Sequence, residues 1–221
     1  MHILIKLPSR GRPEKLRTTF AKYVEYAEDP SKISFMVNID EDDTTFTNTA
    51  SKILKRIHSQ TTIVIGTPCG KIGAVNRDMD KAGEYDILLL ASDDMIPVQK
   101  GYDRIIREYM TKHYPDTDGV LFFNDGHHQN KLNTLCILGK KYYERFGYIY
   151  HPSYKTEFCD NEFMDVANKL GIQTYIDQVI IEHKHPLWTG ESKDPTYRQN
   201  DVHISDDRTN YLERRDKGFP R

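Results

Sequence analysis

Two adjacent carboxylates, Asp93 and Asp94, follow the apolar run 86–90 and Ala91-Ser92. Such a pair at the end of a buried strand repels itself and is costly without a cation. Carboxylate oxygens suit Mg²⁺ or Mn²⁺, and a metal of this kind usually bridges to substrate phosphates. A turn or a helix-capping Asp pair is the alternative, because Asp is common in turns. A second acidic group, Glu157-Phe158-Cys159-Asp160-Asn161-Glu162, precedes a helical pattern. Asp160 there is either a helix N-cap or a base placed on a rigid helix start. His183 and His185 stand two residues apart beside a strand end, so both can face one side. A histidine in such a place is by itself more often a surface or satisfied core residue than a ligand. The basic residues Lys6, Arg10, Arg12, Lys15 and Arg17 can meet a diphosphate, as can Lys71 and Arg77, and solvated charge is the competing role for Arg10, Lys71 and Arg77.

These residues need elements to position them. Segments 3–7, 33–39, 61–65 and 86–90 read as strands, and 14–27, 49–58 and 74–82 as the helices between them. The continuous apolar run 86–90 suits a central parallel strand buried on both faces. Strands alternating with helices imply right-handed βαβ units and an α/β sheet covered on both faces. In such sheets ligands bind beyond the carboxyl ends of the strands. The segments Pro8–Arg12, Asp40–Asp43, Gly70–Gly73 and Ser92–Asp94 all follow strands directly, so they are expected on one rim. Further on, 103–113, 140–146 and 162–170 read as helices, the last ended by Gly171. Segments 120–124, 134–138 and 173–182 read as strands, and 207–215 as a terminal helix.

Composition narrows the class. With 221 residues, 38% hydrophobic and 29% charged, the chain reads as one soluble globular domain, 1–190, with a polar extension, 191–221. The aspartates of that extension, Asp201, Asp206 and Asp207, read as a solvated face. A formal net charge of −2 carries no global basic signal, so nucleic acid is not implied as a partner, though not excluded. No run reaches the roughly 18 to 20 apolar residues of a membrane span. The first residues do not read as a signal peptide, and the three cysteines, Cys69, Cys136 and Cys159, read as reduced thiols. A cytoplasmic location is the expectation. Their spacing fits no zinc site, His127-His128 lacks ligand spacing, and Gly66–Gly73 is not a Walker A loop. Gly147-Tyr148 and Trp188 can offer an aromatic platform to a sugar ring, buried aromatics being the commoner case.

Ser92-Asp93-Asp94-Met95-Ile96-Pro97 after its strand resembles the DxD region of GT-A-fold glycosyltransferases, especially the large inverting family that includes cellulose and chitin synthases. Leu7-Pro8-Ser9-Arg10-Gly11-Arg12 is similar to that family's first nucleotide-binding loop. Asp40 matches the Asp after strand two that reads the nucleobase, and Gly73-Ala74-Val75-Asn76-Arg77 the Gly-x-x-x-Asn segment. Glu157–Phe163 resembles the family's Glu-Asp segment, in which Asp160 is the general base. The departure is Ala91, which occupies the place of the first DxD carboxylate; a shifted register uses Ser92 there. The resemblance implies a Rossmann-like GT-A fold with a mixed, mainly parallel sheet. It implies a donor site at Pro8, Ser9, Arg10, Arg12, Asp40, Lys71, Asn76, Ser92 and Asp93, and Mn²⁺ or Mg²⁺ on Asp93, with Asp94 secondary and His183 or His185 completing the shell. The expected activity is inverting transfer from a nucleotide sugar, a UDP-sugar first, to a glycan or other hydroxyl acceptor. A sugar nucleotidylyltransferase or a catalytically silent nucleotide-sugar-binding module are the alternatives.

Overall fold

The structure, a computed structural model, describes residues 1–184, 188, 190 and 202–220. The first half runs β1 (Ile3–Pro8), α1 (Pro13–Tyr26), β2 (Ile33–Asp40), α2 (Asn48–Ile57), β3 (Thr61–Gly66), α3 (Gly70–Asn76), β4 (Ile87–Leu90) and β5 (Met95–Pro97). The second runs α4 (Tyr102–His113), β6 (Val120–Phe123), β7 (Ile137–Gly139), α5 (Lys140–Phe146), α6 (Cys159–Lys169), β8 (Gln173–Ile176), β9 (Ile181–His183) and α7 (Ile204–Asp216). Seven strands form the main sheet in the order β3-β2-β1-β4-β7-β6-β8, with β5 and β9 in a small sheet of their own. The pairs among β3, β2, β1 and β4 are parallel, β7 is antiparallel to both neighbours, and β8 is parallel to β6.

The period of two along the strands divides the core. Ile3, Ile5 and Leu7 pack with Leu16, Phe20 and Tyr23 of α1 and Tyr102, Ile106 and Met110 of α4. Leu4, Met36, Leu88 and Leu90 pack on the other face with Ile72 and Val75 of α3 and Phe163 and Ala167 of α6. The sheet is therefore mixed, mainly parallel and covered on both faces, as expected. The strand order reverses between β1 and β4, and the loops leaving their carboxyl ends border the crevice where doubly wound sheets bind ligands.

Four local expectations change. The helix expected at 74–82 is α3 at Gly70–Asn76, followed by a 3₁₀ turn at Met79–Lys81. Two glycines argued for a loop, but Gly73 is needed inside the helix: a Cβ there would stand 2.8 Å from the Cys69 side chain. The single strand expected at 173–182 is two strands in different sheets, β8 and β9. The strand expected at 134–138 starts only at Ile137, and α6 starts at Cys159 rather than at 162. Asp160 therefore lies inside the first turn, and Phe158, with φ of 60°, is the N-cap. All three cysteines are free thiols, and among the described residues no helix is long and apolar enough to cross a membrane.

Candidate active site

The donor-site, metal and base candidates from Pro8 to His183 border one cavity of about 780 Å³, whereas Lys6, Lys15, Arg17, Arg77, Tyr148 and Trp188 do not line it and His185 lies outside the described residues. Pro8, Ser9, Arg10 and Arg12 arrive from β1, Asp40 from β2, Lys71 and Asn76 from α3, and Ser92, Asp93 and Asp94 from β4. Asp160 arrives from α6 and His183 from β9.

The first two loops interlock through charge. Asp40 accepts from the Arg10 guanidinium at 2.9 Å and stands 3.4 Å from that of Arg77. Arg10 also forks onto both oxygens of Asp42, and the Gly11 amide donates to Asp43 at 2.8 Å. Arg77 bonds the carbonyls of Ile39 and Thr67, each at 2.7 Å, and so stitches the ends of β2 and β3 together. Beneath them Lys6 is wholly buried, donating to Asn38 Oδ1 and the Arg77 carbonyl at 2.8 Å each. Burial holds its ammonium down to about 8, against the nearby charge of Asp78. Arg10 and Arg77, both candidate diphosphate contacts, thus have protein partners. Lys71 faces Glu157 at 3.4 Å, and Asn76 bonds the backbone of Ile149 and Tyr150.

The two central carboxylates have different surroundings. Asp93 is buried, accepts from Arg12 at 2.9 Å, and its carbonyl accepts from the Thr19 hydroxyl at 2.7 Å. Burial raises its pKa, the Arg12 charge opposes that, and the neighbouring Asp94 adds to it. Asp94 instead meets His183: Oδ2 and Nε2 are 3.6 Å apart, while Ser92 Oγ contacts the other oxygen. The small sheet explains the meeting. β5 and β9 pair antiparallel with Met95 opposite His183, and the Lys184 amide donates to the Asp94 carbonyl at 2.8 Å. This register sets the imidazole beside the carboxylate preceding β5. Burial lowers the His183 pKa, but the Asp94 hydrogen bond and charge outweigh it, so the net direction is up.

A carboxylate and an imidazole this close are a chemically suitable pair of donors for a divalent cation, and the imidazole favours Mn²⁺ over Mg²⁺. Among the described residues no group of three His, Cys, Asp or Glu side chains forms a complete cage. A cation held here by two protein donors would complete its shell with phosphate oxygens and water, the common arrangement for Mg²⁺-like ions.

Asp160 is half-buried in the cavity wall. Burial pushes its carboxyl upward, Lys71 pulls it back, and Glu157 pushes it up again, for a net rise. Its helix starts from a loop, 153–158, that supplies Tyr154, Lys155, Thr156 and Glu157 to the same cavity. Asp207, expected on a solvated face, is 2% exposed and accepts from the amides of this loop; Asp206 is exposed, and Asp201 lies outside the described residues. Trp188 stacks on His127 with ring centroids 5.0 Å apart and meets His128 edge-on. Sequence reasoning did not find Thr19, Thr134 or His203 at the site, and Lys6, read as a diphosphate contact, is instead buried beneath the loops. Its place within an apolar strand was the signal for that burial.

The fold has solved counterparts. The mannosyltransferase PcManGT from Pyrobaculum calidifontis, in complex with GDP-Man and Mn²⁺, superposes with a TM-score of 0.69 at 13% identity, over 92% of this chain and 70% of that one. The chain shares the GT-A fold. S. aureus TarS 1-349 in complex with UDP-GlcNAc superposes with a TM-score of 0.65 at 13% identity, over 89% of this chain and 61% of that one. A longer TarS structure gives 0.63 at 12% identity, and this chain spans 37% of it. No protein-family model matches the sequence, and no curated protein does.

Proposed function

We propose that the chain is a metal-dependent glycosyltransferase that moves a sugar from a nucleoside-diphosphate sugar, a UDP-sugar first, to a hydroxyl acceptor with inversion. The observation that carries this is the meeting of the Asp94–His183 pair and Asp160 in one cavity, beyond the carboxyl ends of β1 and β4. Asp94 and His183 would hold the cation, Asp94 ahead of Asp93 because Asp93 is engaged by Arg12. A cation there, when bound, supplies positive charge to the leaving diphosphate.

The remaining chemistry belongs to the chain's own residues. Asp160, ionised, takes the proton of the acceptor hydroxyl. The hydroxyl oxygen attacks the anomeric carbon as the bond from that carbon to the diphosphate oxygen breaks, and the nucleoside diphosphate leaves. The raised pKa of Asp160 suits a base, since proton affinity rises with it. Asp40, with the loop from Pro8 to Arg12, borders the nucleoside. The likeness to structures holding GDP-Man and UDP-GlcNAc supports a nucleotide-sugar donor.

The test is release of nucleoside diphosphate from UDP-GlcNAc, GDP-Man and a wider panel of nucleotide sugars, with Mn²⁺ and with EDTA. Turnover with Mn²⁺ is expected for the unaltered chain. Asp160→Asn should lower kcat by about 10²- to 10⁴-fold while nucleotide affinity stays. Asp94→Asn should weaken Mn²⁺ binding measured calorimetrically beside UDP. No turnover of any nucleotide sugar would sink the enzyme assignment.

A further inference from the structure

The loop 153–158 lies outside the strands and helices, yet it borders the cavity and leads straight into Asp160. The amides of Lys155, Thr156 and Glu157 find their partner in Asp207 of α7. Asp207 Oδ1 accepts from the Lys155 amide at 2.9 Å, and Oδ2 accepts from the amides of Thr156 at 2.8 Å and Glu157 at 2.9 Å. The Thr156 hydroxyl reaches the same oxygen at 3.3 Å. A carboxylate that accepts three backbone N–H groups while buried holds them in one geometry, because leaving any of them unpaired carries a full desolvation penalty.

Helix α7, which carries Asp207, is itself fastened to α6 beyond this contact. Arg214 forks onto the buried Glu162 at 2.7 and 2.8 Å, and Glu162 also accepts from the Tyr154 hydroxyl at 2.7 Å. Tyr211 donates to Asp165 at 2.6 Å. Glu162 is two residues beyond Asp160 on α6, so α7 grips the proposed base from the loop before it and from the helix turn after it.

We propose that Asp207 is a positioning residue: through the amides of Lys155, Thr156 and Glu157 it sets the loop that orients Asp160 toward the acceptor hydroxyl. This rests on Asp160 acting as the base. Asp207 touches no reacting atom, so its removal should leave nucleotide binding alone and slow the chemical step.

Asp103 supplies the control. It too is fully buried and accepts two loop amides, of Glu28 at 2.7 Å and Asp29 at 3.1 Å, but that loop does not border the cavity. The experiment measures kcat and KM for hydrolysis of UDP-GlcNAc or GDP-Man, whichever turns over faster, with water in place of the acceptor. Hydrogen exchange at residues 155–157 is followed in parallel. Asp207→Ala should lower kcat about 10²-fold, the scale of a misplaced catalytic group, with donor KM within about threefold. Asp207→Asn, which keeps one acceptor oxygen, should fall between it and the unaltered chain, and should serve if the alanine variant does not fold. Both should speed exchange at 155–157, whereas Asp103→Asn should lower stability and leave kcat unchanged. An unchanged kcat in a folded Asp207 variant, or an equal loss in Asp103→Asn, would overturn the proposal. Full activity in Asp160→Asn would instead remove the base assignment, leaving the exchange effect at 155–157 as a purely structural result.

Discussion

The two halves of the cavity wall are held in different ways. The N-terminal half comes from loops that leave β1, β2, β3 and β4, and those loops hold one another: Arg10 to Asp40 and Asp42, Gly11 to Asp43, Arg12 to Asp93. The C-terminal half comes from loop 153–158, Asp160 and β9, and its ties run to distant elements. Asn76 bonds the backbone at 149 and 150, and Asp207 bonds that at 155 to 157. Where parallel strands end side by side, adjacent loops can pair charges locally. Where the sheet turns antiparallel and strands shorten, the wall depends on bracing from outside.

The largest effect that can sharpen this contrast lies on the C-terminal half. Asp160 must be ionised to act, and burial with Glu157 raises its pKa against the pull of Lys71. We expect kcat to rise with pH through a midpoint above the ordinary carboxylate range, falling about tenfold per pH unit below it. Lys71→Met should move the midpoint higher, and Asp160→Asn should erase it. A midpoint at an ordinary carboxylate value would break the assignment of Asp160 as a base with a raised pKa in this wall.

A smaller effect is expected on the N-terminal half, in stability. Arg12→Met leaves the Asp93 carboxylate buried without its guanidinium, and a loss of about 3 kcal/mol in urea unfolding should follow. Combining it with Asp93→Asn should recover part of that loss, the signature of a direct pair. Additive losses would mean that the two loops are held by something else.

Smallest is the acid response of Asp103, which braces the N-terminal half away from the cavity. Burial would raise its pKa, but the amides of Glu28 and Asp29 and the Arg107 guanidinium lower it overall. Its contribution is therefore full above the ordinary carboxylate pKa and lost as pH falls through the lowered folded value. Asp103→Asn should cost about 2 kcal/mol at neutral pH and flatten the acid limb of stability. An unchanged limb would assign the acid sensitivity to other carboxylates.

The N-terminal half was legible in sequence because apolar runs mark buried parallel strands and chemistry follows their ends. The meeting of Asp94 with His183 was legible only as a resemblance. It depends on β5, three residues ending in Pro97, too short and too Pro-marked to read as a strand. The separation of β8 from β9 was hidden for a related reason: the segment 173–182, read as one strand across Asp177-Gln178, serves two sheets, and periodicity does not record a change of partner. Asp207 was misread because an Asp in a charged terminal segment looks solvated. Its role depends on the amides of residues 155 to 157, far back in the chain, which no local pattern reports.

That separation also has a consequence in time. A chain synthesised at roughly 5 to 20 residues per second completes loop 153–158 several seconds before residue 207 is made. Strands β1 to β4, with their interlocked loops, can assemble during that interval, while the amides at 155 to 157 wait with water as their partner. The crevice between β1 and β4 is thus the older part of each newborn molecule, and the wall around Asp160 is finished last.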